Sequence, residues 1–379
     1  MKKIKITTIV GTRPEIIRMS EIIKKFDIFF KHRLIHTGQN PDPLLKDIFF
    51  SDLGLRNPDL YFGGDHKTLG GFLGVLFTEI ENELNTNTPD AVVILGDTNS
   101  ALASIIAKRK GIPVYHLEAG NRSFDQNVPE EINRKIVDHT SDFNLVYTEL
   151  ARNNLISEGI HPRKIGLIGS PLYEVLEVHR NKIDSSNILN ELHLEKQKYI
   201  LVSAHRQENI DFKSRFNAFL EMLDLVAKKY NYPVLISTHP RVKKQIIKNG
   251  ISSSKNILFH DPFNFTDYNK LQKNALVVLS DSGTISEESS ILGFKAITIR
   301  DSMERPEALE SGSIVMSGTN PIDIIEVIEI VLNSNKALVV PKEYLIPDTS
   351  TRVINFIIST VKQHKFWNSL YSDLQSKNI

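Results

Sequence analysis

Residues 4–25, IKITTIVGTRPEIIRMSEIIKK, decide the reading of the fold. Ile4–Val10 is a β-branched run of strand length, and Pro14–Lys25 carries a helical pattern. Between them Gly11-Thr12-Arg13-Pro14-Glu15 makes a polar turn, with glycine for the tight bend and proline at the first helical position. Arg13 then stands near a helix N-terminus, which favours phosphate; a simple βα turn with a surface arginine accounts for it equally well. The turn lacks GxGxxG, so a dinucleotide site has poor support. The basic start and short apolar run read as a first strand, because a signal peptide needs a longer apolar stretch and a cleavage site.

The same alternation continues outward. Strand candidates in the first half are Ile4–Val10, Arg33–His36, Ala91–Leu95, Val114–Leu117, Phe143–Val146 and Ile165–Ile168, with helical patterns such as Ser100–Lys110 and Glu130–His139 between them. The second half repeats the theme with strands at Tyr199–Ser203, Val234–Ser237, Ile257–Phe259, Leu276–Leu279 and Ala296–Ile299. Helices Phe212–Lys229, Asp267–Lys273 and Ile285–Leu292 separate them, and two more patterns, 351–363 and 366–375, close the chain. Strand-then-helix repetition predicts parallel sheets covered on both faces. At 379 residues the chain outgrows one core, and the polar stretch 181–198 is the candidate boundary. The expected fold is α/β: two Rossmann-like doubly wound domains facing a cleft, with ligands beyond the carboxyl ends of the strands.

Composition narrows the function. With 46 basic and 45 acidic residues the net charge is +1, so no global field attracts nucleic acid or an anionic membrane. The absence of cysteine removes disulfides, thiolate nucleophiles and cysteine-ligated metals, and fits a reducing compartment. No apolar run reaches the length of a spanning helix. The histidines are scattered, and neither HExxH, GxSxG nor a P-loop occurs, so no metal is expected. These features together predict a cytoplasmic protein.

Polar groups follow the predicted strands. Asp97, in Gly96-Asp97-Thr98-Asn99, reads either as a helix cap or as a carboxylate presented to the cleft. Glu118, in Glu118-Ala119-Gly120, is costly to leave unpaired after an apolar strand, so a salt bridge or a catalytic role is expected. Pro129-Glu130-Glu131-Ile132-Asn133-Arg134 reads as a helix start, with Glu130 and Arg134 on one face and a surface ion pair as the plain alternative. His205-Arg206 and Thr238-His239-Pro240-Arg241 place histidine and arginine after strands, where they can contact an anion or be merely structural. Asp281-Ser282-Gly283-Thr284-Ile285-Ser286-Glu287-Glu288 is the strongest local signal. Its small residues let backbone N–H groups approach a diphosphate, and Glu288 can accept from ribose hydroxyls; a capping box is the alternative. Glu304-Arg305-Pro306-Glu307 can add a cation.

Together these pieces resemble the non-hydrolysing UDP-N-acetylglucosamine 2-epimerase family. GTRPE, HTGQ, GDT, EAG, PEExNR, HRxEN, THPR, DSGxxxEE and ERPE occur in order from Gly11 to Glu307. The resemblance implies a two-domain fold of the glycosyltransferase B type, usually dimeric, needing no cofactor. Residues 1–180 would form the first domain, joined by a C-terminal helix 364–379, and residues 181–363 the UDP-binding domain. The partner implied is a UDP-linked N-acetylamino sugar, converted by anti elimination of UDP and re-addition to the other face of a glycal. Catalytic positions then fall on Asp97, Glu118, Glu130 and His205, and UDP-sugar contacts on Arg13, Arg18, Arg134, Ser282, Gly283, Thr284, Glu288 and Arg305. Gln39, Arg206 and His239 match a second, regulatory UDP-sugar site of some members. Residues 121–126, NRSFDQ, together with Thr284, look closest to a subgroup that converts UDP-2-acetamido-2,6-dideoxy-L-talose to UDP-N-acetyl-L-fucosamine for surface polysaccharides. Arg18 stands where many glucosamine enzymes carry lysine, a departure that leaves the sugar open though not the nucleotide; UDP-N-acetylglucosamine/UDP-N-acetylmannosamine interconversion is the alternative. A glycosyltransferase of the same fold is more distant.

The chemistry needs such groups. C2 of an amino sugar has no adjacent carbonyl, so its proton is too weakly acidic for a carboxylate alone. Coupling its removal to departure of UDP from C1 offsets the difficulty, provided that a base is held on one face. Inversion needs a proton delivered to the other face, hence more than one acid–base group around one sugar.

Overall fold

The computed structural model describes residues 3–39, 49–63, 68–204, 213–238, 255–334 and 339–367. The chain divides into two units, Met1–Glu177 with Ile346–Ile379, and Val178–Leu345. Each is a Rossmann-like α/β unit built on a parallel sheet, as the alternation of strands and helices predicts.

In the first unit, β1 (Lys5–Val10), β2 (Lys31–His36), β3 (Leu60–Tyr61), β4 (Ala91–Leu95), β5 (Val114–Leu117), β6 (Phe143–Val146) and β7 (Ile165–Leu167) pair in the order β3-β2-β1-β4-β5-β6-β7. Helices α1 (Arg13–Phe29), α2 (Leu69–Thr86), α3 (Ser104–Arg109), α4 (Pro129–Thr140), α5 (Glu149–Ser157) and α6 (Pro171–Val178) connect or flank them. All five residues of β4 are buried, the pattern of a strand covered on both faces. The strand order reverses between β1 and β4, the switch point beside which such sheets bind ligands. Those two strands lead into the Gly11 and Gly96 turns.

The second unit repeats the order. Strands β8 (Ile200–Ala204), β9 (Val234–Thr238), β10 (Ile257–His260), β11 (Val277–Ser280), β12 (Ala296–Thr298) and β13 (Val315–Met316) pair as β10-β9-β8-β11-β12-β13. Helices α7 (Lys213–Tyr230), α8 (Phe265–Asn274), α9 (Ile285–Leu292) and α10 (Pro321–Asn333) cover it. Its switch point lies between β8 and β11, and β11 leads into Asp281-Ser282-Gly283.

The chain then returns to the first unit. Helix α11 (Thr349–Trp367) runs continuously through Phe366, where the pattern suggested a break between two helices. It packs on α1, with the Lys25 ammonium donating to Thr351 Oγ1 at 2.7 Å. Tyr115 OH and Thr360 Oγ1 lie 2.8 Å apart, and Ser350 N donates to Glu174 Oε2 at 2.8 Å. Phe356 comes so close to the sheet that a Cβ on Gly166 would lie 2.7 Å from its ring. Among the described residues no helix is long and apolar enough to cross a membrane.

Candidate active site

In the first unit the site is built at the ends of β4 and β5. Leu95 faces Leu117 in the sheet register, and Gly96 N donates to Leu117 O at 2.9 Å. The residues after these strands therefore leave side by side. Gly96 turns the chain with a φ of +74° and presents Asp97; Glu118 follows Leu117 directly with a φ of +63°. That left-handed conformation is uncommon for a glutamate and persists only where the surroundings over-determine it.

The surroundings are two buried arginines. Arg18, one turn beyond Pro14 in α1, donates through Nη1 to Glu118 Oε2. Arg134, from α4, donates through Nη2 to Asp97 Oδ2, lies 3.4 Å from Glu118 Oε1, and donates through Nη1 to the Glu118 carbonyl. Arg18 and Arg134 are each 1% exposed, so their charges stay buried only because carboxylates face them. Arg18 also lies over the Tyr147 ring at 5.6 Å. Asn133, beside Arg134, donates to the Asp97 carbonyl at 3.0 Å. Arg134 thus pairs inward, and not along the helix with Glu130. Glu130 itself is half-buried in the first turn of α4, while its neighbour Glu131 is buried and accepts from Ser123 N at 2.8 Å.

The Gly11 turn joins this assembly through Glu15. One carboxylate oxygen accepts from Gly11 N and Thr12 N, each at 2.7 Å, and the other from Thr98 Oγ1 at 2.7 Å. Burial pushes the Glu15 carboxyl up to about 7, with the hydrogen bonds from Thr98, Gly11 and Thr12 opposing the rise. Gly11 meets Ser100 closely: a Cβ there would lie 2.1 Å from Ser100 Oγ. Gln39 accepts from Ser100 N at 2.9 Å and from Ser100 Oγ at 2.8 Å, which ties HTGQ to the same loop. Arg13 is half-buried with its guanidinium 5.5 Å from the Phe49 ring centroid.

In the second unit, Ser282, Gly283, Thr284 and Glu288 are half-buried around the start of α9, while Glu287 is fully buried. Ser282 N donates to Ser280 Oγ at 3.1 Å, and the hydroxyls of Ser282 and Thr284 lie 3.0 Å apart. Thr284, at the helix start, makes no side-chain cap bond, while Ser282 Oγ accepts from Thr284 N at 3.4 Å. Arg305 donates to the Gly283 carbonyl at 2.7 Å and pairs with Glu287 at 3.2 Å, so it supports the loop from behind. Glu288 accepts from Gln272 at 2.6 Å. His205, Arg206 and His239 lie outside the described residues.

Motif position points to Asp97, Glu118 and the serine-rich loop, and the structure brings Arg18 to Glu118 and Arg134 to both carboxylates. Glu15, Thr98, Asn133, Glu287 and Gln272 gained no role from sequence, although four of the five stand inside or beside the quoted motifs. The missing signal was the partner, which is distant in sequence.

Comparison with known proteins agrees with this architecture. The family model for UDP-N-acetylglucosamine 2-epimerase matches residues 24–358. A UDP-N-acetylglucosamine 2-epimerase of Methanocaldococcus jannaschii is 36% identical over 342 residues, covering 88% of this chain and 93% of the relative. A UDP-2,3-diacetamido-2,3-dideoxy-D-glucuronate 2-epimerase of Pseudomonas aeruginosa is 32% identical, covering 85% and 90%. The solved UDP-N-acetylglucosamine 2-epimerase of Rickettsia bellii superposes with a TM-score of 0.88 at 40% identity, covering 96% of this chain and 98% of that one. The M. jannaschii enzyme, solved with UDP-GlcNAc and UDP, gives 0.88 at 34%, covering 94% and 100%. The chain belongs to the UDP-N-acetylglucosamine 2-epimerase family and is a carbohydrate epimerase, an isomerase.

Proposed function

We propose that the chain inverts C2 of a UDP-linked 2-acetamido sugar. The observation that carries this is the pair of carboxylates, Asp97 and Glu118, set side by side by the β4–β5 register and held by one arginine, Arg134. Two carboxylates on a shared cation fit a reaction that must remove a proton from one face and return it to the other. In the forward half, a carboxylate takes the C2 proton, the C–H electron pair forms the C1–C2 double bond, and the C1–O bond breaks to release UDP. In the return half, UDP oxygen adds to C1 while C2 receives a proton on the opposite face. Glu130 and His205 are assigned to this acid–base set by motif. Ser282, Gly283, Thr284 and Glu288 are assigned to UDP, the backbone of the loop to diphosphate and Glu288 to ribose.

Two sugars fit. The names of the relatives favour UDP-N-acetylglucosamine and UDP-N-acetylmannosamine. Residues 121–126 and Thr284 favour UDP-2-acetamido-2,6-dideoxy-L-talose and UDP-N-acetyl-L-fucosamine, precursors of surface polysaccharide. Incubation with each sugar in deuterium oxide, followed by NMR, separates them. The substrate should gain deuterium at C2 as its epimer forms. Release of free amino sugar, or turnover that leaves the C2 proton in place, would overturn the assignment.

A further inference from the structure

Behind the two carboxylates lies a second buried layer. His116, in β5 two residues before Glu118, and Asp138, one turn beyond Arg134 in α4, have fully buried side chains. The His116 ring reaches in two directions: Nε2 lies 2.7 Å from the Gly96 carbonyl, and Nδ1 lies 2.8 Å from Asp138 Oδ1. Asp138 in turn accepts from Gly120 N at 3.2 Å and pairs with Arg122 at 2.7 Å. Gly96 directly precedes Asp97, and Gly120 lies two residues after Glu118. The geometry points to His116 and Asp138 as positioning residues for the epimerisation, pinning the turn that presents Asp97 to the turn that presents Glu118.

Three features carry the argument. First, Glu118 holds a left-handed φ of +63°, which a glutamate keeps only where its surroundings over-determine it, between turns that Gly96 and Gly120 make with φ of +74° and +80°. Second, the ring faces both turns through opposite nitrogens, with the Gly96 carbonyl 2.7 Å from Nε2 and the Asp138 carboxylate 2.8 Å from Nδ1. Burial pushes the Asp138 carboxyl up, but His116 and the charges of Arg122 and Arg134 outweigh it and hold Asp138 below the usual carboxylate range, as an acceptor. Third, Arg122 is fixed by Glu158, with bonds of 2.8 and 2.6 Å, so the brace is anchored on α5's end and not only on the loop it supports. Gly120 is pressed against the same helix, where a Cβ would lie 2.3 Å from the Ala151 carbonyl.

The ring's two reaches can be separated by substitution. An asparagine amide matches the position of Nδ1, and a glutamine amide that of Nε2. His116→Asn keeps a donor toward Asp138 but releases Gly96; His116→Gln keeps the donor to Gly96 but releases Asp138. The proposal rests on Asp97 and Glu118 being the acid–base groups, so Asp97→Asn and Glu118→Gln are run beside it. Turnover is measured per UDP-binding site from calorimetry, and urea unfolding followed by circular dichroism confirms that the first unit, which carries His116, is folded. His116→Asn should lower kcat about 100-fold, as a misplacement of about an ångström does, with KM within about threefold. His116→Gln should recover about tenfold of that loss. If both His116 variants keep kcat per site within threefold of wild type while Asp97→Asn and Glu118→Gln are inactive, the brace is overturned and the acid–base assignment survives. If Asp97→Asn and Glu118→Gln are themselves active, the underlying assignment fails. If His116→Asn yields no folded protein, His116→Gln decides alone: a fall in kcat per site of threefold or more supports the brace, and a smaller one overturns it.

Discussion

Glu15→Gln removes a buried titrating group at almost constant size. Its oxygen can still accept from Gly11 and Thr12, and its amide can donate to Thr98, so the turn should keep its shape. What changes is the response to pH. In the unfolded chain Glu15 releases its proton near its ordinary value of 4.5, whereas the folded chain holds it until about 7. A raised carboxyl contributes stability that is fully present below pH 4.5 and is lost as pH rises through 7. At 1.36 kcal/mol per pH unit, the interval between these values corresponds to about 3 kcal/mol. Urea unfolding followed by circular dichroism, at pH 5 to 8 for both proteins, isolates this group because other titrations cancel in the difference. The wild type should lose about 2–3 kcal/mol relative to the variant across that window. Parallel profiles would show that Glu15 is ionised throughout, and that its four donors outweigh its burial.

Other substitutions test other parts of the site. Glu118→Gln should abolish turnover while calorimetry still detects UDP, because the proposed nucleotide contacts belong to the other unit; near-wild-type kinetics would remove Glu118 from the acid–base set. Arg134→Lys should lower kcat about 100-fold, since one ammonium cannot reproduce a fork that serves Asp97, the Glu118 carboxylate and the Glu118 carbonyl. Steady-state kinetics with a dichroism control measure that loss. Glu288→Ala should weaken UDP binding about tenfold or more by calorimetry with the fold intact. Gly11→Ala should lower thermal stability by about 1–3 kcal/mol, because the new methyl meets the hydroxyls of Ser100 and Thr37 at 2.1 and 2.2 Å.

The parts legible in the sequence were those with local causes. A strand that emerges from a parallel sheet needs a tight polar turn, so GTRPE, GDT, EAG and DSG announced both the sheets and the residues at their carboxyl ends. Length limited the rest: β3 and β13 have two residues each, too few for any periodic signal. Distance limited it further. Nothing near Glu15 in sequence indicates Thr98, and nothing near Arg305 indicates that Gly283 and Glu287 will engage it. Arg134 read most simply as a surface partner of Glu130, because spacing reveals who shares a helix face and not which way that face turns. Its burial follows from β4 and β5 delivering two carboxylates to one spot, a fact of sheet register.

The closing helix has a consequence for how the protein is made. Because α11 covers a face of the first sheet, Phe356 among its residues, that face stays bare on the ribosome until the whole intervening unit has been translated. At ordinary elongation rates the delay is on the order of ten to thirty seconds. During that interval the newborn first unit offers apolar surface to chaperones and to neighbouring chains, while the later unit, one uninterrupted segment, can mature ahead of it.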